Sequence, residues 1–361
     1  MDTGVSIIGT GHCGCAMAAD LLGRRVPTLL YAHPQHCRTL EAIRQQGYLD
    51  ATGGIIGRFF PQLTTSMADA VGFSRILVIT IPAYGHNTII DELAKFDLRD
   101  HIVICITGNF FSFVARQHLT PRALMETATS PYASRVVGNE VKVVGVKRIL
   151  PIASLPAKVP PDLRDTVQSL FDLPLDWRAN VLEIGLMCVT GVVHPTPMLM
   201  NAGWVETTGG NFYFYRDGMS PSVGKVIETL DTERQHVARQ FGLHASPVVD
   251  LMNAYYDHSF ENFTAFARHT PEHNSMPATP PTLHHRFVDQ DVPYVLVPWL
   301  ELGITVNTPC PTIAAITQLA SIANDTDYLK VGRNLRAMGL QDATREDILA
   351  LVEAPALTLA S

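Results

Sequence analysis

The first half of the chain alternates short apolar runs with stretches of helical periodicity. Apolar runs at 4–9, 26–32, 75–82 and 101–108 predict strands, and helical patterns follow each of them. The last two runs are apolar without interruption, as is typical of parallel strands covered on both faces. The run at 140–156 adds strand material, part of which we expect to be antiparallel. This alternation predicts a doubly wound sheet of the Rossmann type.

From about residue 180 onward, helical periodicity dominates. It predicts helices at 197–207, 221–241, 247–257, 310–323 and 344–353. A proline-rich stretch at 271–281 predicts a loop that positions the residues after it. The fold class is therefore α/β, with a dinucleotide-binding Rossmann-type domain at 1–180 and an all-helical substrate domain at 181–361.

Composition narrows the possible functions. The chain is 47% hydrophobic but only 17% charged, which indicates much buried surface and, we expect, a homodimer. A net charge of −7 without a long basic run argues against nucleic-acid binding. We expect no apolar run to reach the ~20 residues of a membrane span. No basic region precedes the first strand, so we expect a cytoplasmic protein without a membrane partner. Six cysteines without zinc-finger spacing predict reduced thiols and no metal site.

The segment "SIIGTGHCGCAMA" carries a G-x-G-x-x-G pattern at Gly9, Gly11 and Gly14. It follows a predicted strand and opens a predicted helix, the context that makes the pattern specific for a dinucleotide. The intervening residues Thr10, His12 and Cys13 would then belong to the phosphate loop. Pro82 and Ala83 end another strand at the same edge of the sheet, where ligands bind, and they join the predicted cofactor site.

The end of the second strand, "LLYAHPQHCR", lacks the acid that binds a ribose 2′-OH. His33, His36 and Arg38 lie there instead, and arginine binds a phosphate through two donors. We therefore predict NADP as the cofactor through His33 and Arg38. The alternative is that these are solvated loop residues and that NAD binds without an acid.

A nicotinamide enzyme needs a group that moves a proton while the hydride moves, and histidine suits this near neutral pH. His194 stands in an apolar setting before Pro195, and Asn201 follows at helical spacing. A buried structural histidine is the alternative for His194 alone.

A second segment, "HHRFVDQDVPYVLVPWLELG", supplies possible partners for that histidine in a stretch that we predict to be strand-like or a turn. Arg286 could bind a carboxylate, and a buried aspartate could orient an imidazole. Asp291 and Asp289 compete for that role, and spacing alone does not choose between them.

These segments, together with "HPTPMLMNAGWVE", "FYRDGMSPSVGKVIETLDTERQHVARQFGL" and "TDYLKVGRNLRAMGL", resemble the octopine/nopaline (opine) dehydrogenase family over nearly the whole chain. The resemblance implies that His194 and Asp291 form the catalytic dyad and that Arg286 binds the substrate carboxylate. It also implies that Tyr132, in "ETATSPYASR", lines the substrate cleft, and we predict Asn201 as a further substrate-binding residue because its helical spacing places it on the face of His194. The implied reaction joins an amino acid and a 2-oxo acid such as pyruvate with NAD(P)H, giving an N-(carboxyalkyl) amino acid.

Two other functions remain open from the residues. A 2-oxo acid reductase of the ketopantoate reductase type shares the domain plan, but it relies on a catalytic lysine, and the predicted His194 helix has none. A nucleotide-sensing protein without enzyme activity would not need His194, Arg286 and Asp291 together.

Overall fold

A computed structural model describes residues 4–274 and 279–353. These residues divide into two compact units, 4–181 and 182–353. The last part of the predicted helical domain, 354–361, lies outside the described residues, as do 275–278 of the predicted proline-rich loop. Each unit is described by itself.

The strands of the first unit form two sheets. In chain order they are β1 (Val5–Ile8), β2 (Thr28–Tyr31), β3 (Leu49–Gly53), β4 (Gly57–Phe59), β5 (Gln62–Thr64), β6 (Ile76–Ile79), β7 (Ile102–Ile106), β8 (Ala123–Thr127), β9 (Tyr132–Val137), β10 (Glu140–Val146), β11 (Leu150–Leu155) and β12 (Leu175–Trp177). Six helices accompany them: α1 (His12–Gly23), α2 (Arg38–Gln46), α3 (Met67–Phe73), α4 (His86–Leu93), α5 (Phe111–Ala115) and α6 (Pro161–Gln168). Short 3₁₀ turns lie at Pro34–His36 and Ala83–Gly85.

The larger sheet has eight strands in the order β12-β11-β8-β7-β6-β1-β2-β5. From β8 to β5 all neighbouring strands are parallel, and β11 runs antiparallel to β8, as the sequence predicted for part of 140–156. The chain reverses its direction of progress across the sheet on either side of β1, which places β1 at the switch point where such sheets bind ligands. The predicted doubly wound architecture is confirmed.

A second sheet of four strands, in the order β4-β3-β10-β9, was not predicted from the sequence. It contacts the start of α1, where the hydroxyl of Ser134 donates to the carbonyl of His12 over 3.0 Å and the Val136 N–H donates to His12 Nδ1 over 2.9 Å. This sheet therefore supports the helix that the glycine loop opens.

The second unit is helical throughout its described residues. Its helices are α7 (Val181–Leu186), α8 (Thr190–Val193), α9 (Pro195–Met200), α10 (Ala202–Thr208), α11 (Pro221–Gln240), α12 (Val248–Tyr256), α13 (Phe263–His269), α14 (Pro271–Asn274), α15 (Arg286–Asp289), α16 (Val297–Thr305), α17 (Pro311–Ala323), α18 (Tyr328–Val331) and α19 (Arg345–Glu353). A π-helical turn at Val292–Leu296 joins α15 to α16. The segment around Arg286 and Asp291 is thus helical, and its interpretation as strand-like or a turn was wrong.

Buried polar groups fix α11 in the core of this unit. The Arg234 guanidinium is 1% exposed, pairs with Asp231 over 2.6 Å and donates to the carbonyls of Leu186 and Ser246. Removing one member of such a pair leaves a buried charge uncompensated and costs about 3–5 kcal/mol. Through Leu186 this network anchors the chain just ahead of α8 and α9.

The stretch Val181–Met200 is the one described segment whose length and apolar character, a mean hydropathy of 1.3 over 18 residues, would allow a membrane crossing. The expectation that no run reaches this length was therefore wrong. In the structure 94% of that window is buried, and the chain is divided there into α7, α8 and α9. The segment is used as core.

Candidate active site

The glycine loop has the geometry that a dinucleotide site needs. Gly9 adopts a φ of +126°, a conformation that side chains disfavour. A Cβ at Gly14 would lie 2.0 Å from the Gly9 carbonyl oxygen, so only glycine lets α1 pack this closely on the strand before it. At Gly11 a Cβ would meet nothing within 4 Å, which leaves its backbone open to a phosphate. The loop therefore fits a nucleotide pyrophosphate at the N-terminus of α1.

Two thiols lie at the start of α1. Burial raises the pKa of Cys13 to about 11 and that of Cys15 to about 12, so both remain protonated at neutral pH. Cys15 is fully buried, and its Sγ donates to the carbonyl of Thr10 over 3.4 Å. All six cysteines are free thiols.

The end of β2 holds an acid that the sequence did not reveal, because it comes from α4. Glu92 Oε2 accepts from the Tyr31 hydroxyl over 2.7 Å, and Glu92 Oε1 lies 3.5 Å from His33 Nε2. Burial and Glu92 together raise the pKa of Tyr31 and keep it a donor. Arg38 is exposed in the first turn of α2.

Tyr132, Pro82 and Ala83, which the sequence assigned to binding sites, belong to the first unit. Tyr132 is 6% exposed in the core of the first unit, and its hydroxyl donates to Asp20 over 2.7 Å. Burial and Asp20 raise the pKa of Tyr132 well above its ordinary value. Tyr132 therefore has a packing role in this unit, and its contact with substrate stays a prediction. Pro82 and Ala83 do lie just beyond β6, where Pro82 precedes the 3₁₀ turn.

In the second unit, His194 and Asp291 form a buried pair across 97 residues of sequence. His194 Nδ1 and Asp291 Oδ2 are 2.7 Å apart, and the two residues are 9% and 1% exposed. A carboxylate at this distance accepts from Nδ1–H, which fixes the tautomer of a neutral imidazole and stabilises the imidazolium. The geometry thus provides an imidazole that a buried carboxylate orients and that can act as an acid or a base.

Local sequence explains how His194 is presented. It occupies the break between α8 and α9, where Pro195 begins the second helix without needing an N–H partner. Gly191, in α8, faces the π-helical turn that follows Asp291: a Cβ there would lie 2.6 Å from the Val295 side chain. The close approach of these two segments brings the imidazole within reach of the carboxylate.

The structure also separates the two competing aspartates. Asp289 accepts hydrogen bonds at 2.5 Å from the Tyr328 hydroxyl and 2.9 Å from the Asn324 amide, which ties α15 to α17 and α18. Of the two aspartates, only Asp291 pairs with His194. The choice of Asp291 by resemblance therefore agrees with the geometry, and Asp289 serves the packing of the helices.

Residues next to Asp291 cover one face of the imidazole. The Phe287 ring stacks on His194 with centroids 3.8 Å apart and planes 14° from parallel. The Arg286 guanidinium is 5.6 Å from the centre of the same Phe287 ring, and the residue is exposed. Arg286 therefore offers a cation beside the dyad that solvent can reach.

Sequence reasoning missed Tyr215. Its hydroxyl lies 3.0 Å from His194 Nε2, on the opposite side of the ring from Asp291. The residue stands in an irregular turn between α10 and α11, and no spacing rule connects it to His194. The only signal was its place in "FYRDGMSPS", one of the segments that carries the family resemblance.

Asn201, predicted to bind substrate, holds this turn in place. Its side-chain amide donates to the carbonyl of Pro197 over 2.8 Å and to that of Gly218 over 3.0 Å. Both contacts are within the protein, so Asn201 links the end of α9 to the segment that bears Tyr215. A contact with substrate stays a prediction.

Comparisons with known proteins find relatives of this chain along most of its length. The profile of the family described as NAD/NADP octopine/nopaline dehydrogenase, alpha-helical domain, matches residues 177–324. The opine dehydrogenase of Arthrobacter sp. (strain 1C) is 30% identical over 357 residues, which cover 96% of this chain and 98% of that protein. The vitopine synthase of Allorhizobium ampelinum is 27% identical, with 94% and 96% of the two chains covered.

Solved structures share the fold. Octopine dehydrogenase with NADH and L-arginine matches with a TM-score of 0.76 and 15% identity, over 99% of this chain and all of the other. Yersinopine dehydrogenase with NADP⁺ matches with a TM-score of 0.71 and 14% identity, over 98% of each chain. A ketopantoate reductase of Ralstonia eutropha has the lower TM-score of 0.64 at 16% identity, over 90% and 99%. With the relative of 30% identity along nearly its full length, these findings show that the chain belongs to the octopine/nopaline (opine) dehydrogenase family of NAD(P)-dependent oxidoreductases.

Proposed function

We propose that the protein catalyses the NADPH-dependent reductive condensation of an amino acid with a 2-oxo acid such as pyruvate, giving an N-(carboxyalkyl) amino acid, and the reverse oxidation. The observation that carries this proposal is the buried His194–Asp291 pair at 2.7 Å with the exposed Arg286 beside it. A 2-oxo acid carries a carbonyl and a carboxylate. The oriented acid/base suits the carbonyl, and the neighbouring cation suits the carboxylate.

The residues divide the chemistry among themselves. The nicotinamide, when bound, supplies the hydride. His194 polarises the carbonyl and gives and takes the proton of condensation, while Asp291 stabilises the imidazolium. Arg286 binds the carboxylate of the 2-oxo acid through two parallel donors. The glycine loop holds the pyrophosphate through the N-terminus of α1.

Structural neighbours support two kinds of substrate. Octopine dehydrogenase has been solved with L-arginine, with agmatine and with pyruvate, so a related fold holds an amine and a 2-oxo acid. The amino acid used by this chain is open. The test is to incubate the protein with NADPH and pyruvate, with and without each member of an amino-acid panel, and to identify products by mass spectrometry.

The outcome also separates the other functions. Cofactor consumption that requires both pyruvate and an amino acid, with a product heavier by the joined amino acid, is expected. Consumption with 2-oxo acids alone would indicate a reductase of the ketopantoate type. Cofactor binding without turnover would indicate a nucleotide sensor.

The preference for NADPH rests on the end of β2. Glu92 Oε2 accepts from the Tyr31 hydroxyl and Glu92 Oε1 lies 3.5 Å from His33 Nε2, so both oxygens of this carboxylate already face protein groups. Exposed Arg38 adds a guanidinium for the 2′-phosphate. Replacing Arg38 with alanine should raise the KM for NADPH and leave that for NADH nearly unchanged. A wild-type kcat/KM that is higher with NADH would contradict the preference.

Arg286 is proposed to bind the 2-oxo acid. Arg286→Lys keeps the charge but loses the planar fork. We expect a KM for pyruvate raised by about tenfold or more, equivalent to ~1.4 kcal/mol, with cofactor affinity little changed. An equal loss of cofactor affinity would assign Arg286 to another role.

A homodimer is proposed as the assembly. Leu319 and Ile322 on α17 are 54% and 63% exposed, and the low charged fraction of the chain agrees with further burial. Light scattering during size-exclusion chromatography tests this, and a mass of one chain would contradict it. The cytoplasmic location stays a prediction from the sequence.

A further inference from the structure

His194 has only one direction in which it can pass a proton to a substrate. Asp291 holds Nδ1, and the Phe287 ring stacks on one face at 3.8 Å, so the ring is fixed against rotation. A proton that leaves the imidazolium for substrate must leave from Nε2. Tyr215 Oη lies there, at 3.0 Å.

The turn that carries Tyr215 is built to keep the phenol in place. The Asp217 carboxylate accepts from the Tyr213 N–H over 3.0 Å, and Asn201 holds the Gly218 carbonyl. The Tyr215 ring packs edge-on against Phe214 and His273, at centroid distances of 5.0 and 4.7 Å. Phe214 is 3% exposed, whereas Tyr215 is only partly buried and can be approached from outside.

We propose that Tyr215 relays the proton between His194 and the substrate oxygen, an inference that rests on the proposed function. A phenol can accept one hydrogen bond while it donates another. With His194 charged, Nε2–H donates to the Tyr215 oxygen, and the Tyr215 hydroxyl donates its own proton to the substrate.

The step that uses this relay is the loss of water from the carbinolamine, the adduct of the amine and the 2-oxo acid. The carbon–oxygen bond breaks and its electron pair leaves with the oxygen, which takes the Tyr215 proton and departs as water. The nitrogen lone pair forms the carbon–nitrogen double bond of an iminium ion. The Tyr215 oxygen takes the Nε2 proton at the same time, and His194 becomes neutral.

The relay delivers the proton to a point farther from the imidazole, which itself does not need to move. Asp291 can then stay buried at 1% exposure, where it stabilises the imidazolium most, while the proton is delivered by a partly exposed hydroxyl. A histidine that contacted substrate directly would need an open Nε2. The structure instead places a second titratable group on it.

Tyr215→Phe tests the relay, because it removes one oxygen and retains the ring that packs against Phe214 and His273. Tyr213→Phe is the matched control: Tyr213 lies in the same turn, and its ring contacts Arg216 at 3.7 Å rather than His194. Turnover with NADPH, pyruvate and the best amino acid is measured in H₂O and D₂O. The ¹⁵N resonances of the His194 ring are recorded for both variants without substrate.

We expect Tyr215→Phe to lower kcat by ~10²-fold, in the range for a positioned proton-transfer group, with a larger solvent isotope effect than the wild type. Tyr213→Phe should match the wild type in both. The Nε2 resonance should shift in Tyr215→Phe alone, a readout that does not depend on turnover.

Equal turnover in the two variants, or faster turnover in Tyr215→Phe, would overturn the relay, since the phenol would then be a bystander or an obstacle. An unshifted Nε2 resonance would overturn it as well. These results differ from failure of the proposed function, in which the wild type forms no product with any amino acid.

Discussion

The glycine loop and the His194–Asp291 pair are assembled in opposite ways. The loop spans residues 9–14, and its geometry depends on glycines at positions where a side chain would clash or strain the backbone. The pair joins residues 97 positions apart, and it exists only because α8 packs against the turn after Asp291. The first site is local and the second depends on the packing of a whole unit. Changes in the two regions should therefore fail in different ways.

The largest expected effect is loss of the pair itself. His194→Ala and Asp291→Ala should each lower turnover by ~10²–10⁴-fold, as for a positioned acid/base. Cofactor affinity should persist, because the glycine loop belongs to the other unit. The double variant should lose little more than either single variant, since residues that act as one unit do not contribute separately. The measurements are kcat, cofactor Kd and Tm.

Asp289 supplies the control for this prediction. Asp289→Asn disturbs the contacts with Tyr328 and Asn324, so it should lower Tm and leave most of the turnover. Asp291→Asn should keep the shape of the site but fail to stabilise the imidazolium, so it should lose turnover instead. A double His194/Asp291 variant whose loss is the product of the single losses would contradict the pairing, as would an Asp289 variant more damaged in turnover than Asp291→Asn.

The next effect sharpens the claim that packing builds the pair. Gly191→Ala would place a Cβ 2.6 Å from Val295, and the two segments must move apart. A misplacement near 1 Å can cost ~10²-fold in rate, so we expect a loss of up to that size in kcat with the dyad residues intact. Gly203→Ala is the control, since a Cβ there meets nothing within 4 Å. Equal kcat for the two variants would show that the pair does not depend on this contact.

A smaller effect is expected in the glycine loop. Gly11→Ala adds a Cβ that meets no protein atom within 4 Å, so Tm should be unchanged. The same Cβ would stand between the loop backbone and the pyrophosphate of the cofactor. We therefore expect the cofactor Kd to rise by about tenfold, ~1.4 kcal/mol. Isothermal titration measures this. Unchanged affinity with unchanged Tm would place the cofactor elsewhere.

The two regions also differ in what the sequence could reveal. The loop motif, the doubly wound sheet and the helical second half followed from periodicity and glycine spacing, because those patterns are set by neighbours in sequence. For the pair, residue chemistry proposed His194 but left Asp289 and Asp291 equal, and resemblance chose between them. The structure distinguishes them because Asn324 and Tyr328, which are distant in sequence, donate hydrogen bonds to Asp289.

The misses have the same origin. The packing role of Tyr132 was not visible in the sequence, because its burial against Asp20 depends on how α1 and β9 pack. Tyr215 and Glu92 were overlooked because their partners, His194 and His33, lie 21 and 59 positions away. The helical form of 286–296 was missed because Pro293 and the β-branched valines there indicate a strand or turn, whereas packing imposes α15 and a π-helical turn.

The smallest expected effect concerns the thiols at the glycine loop. Burial raises the pKa of Cys13 to about 11 and of Cys15 to about 12, while an unfolded thiol ionises near ~8.5. Their contribution to stability is therefore complete below the unfolded pKa and is lost as pH rises toward the folded values. We expect iodoacetamide at pH 8 to label the partly exposed Cys37 well before the buried Cys15, measured by peptide mass spectrometry. The free energy of unfolding should fall between pH 9 and 11, and Cys15→Ala should reduce that fall while Cys37→Ala should not. Rapid labelling of Cys15 in the native protein at pH 8 would show that the start of α1 opens. The glycine loop would then not be rigid, and its contrast with the His194–Asp291 pair would fail.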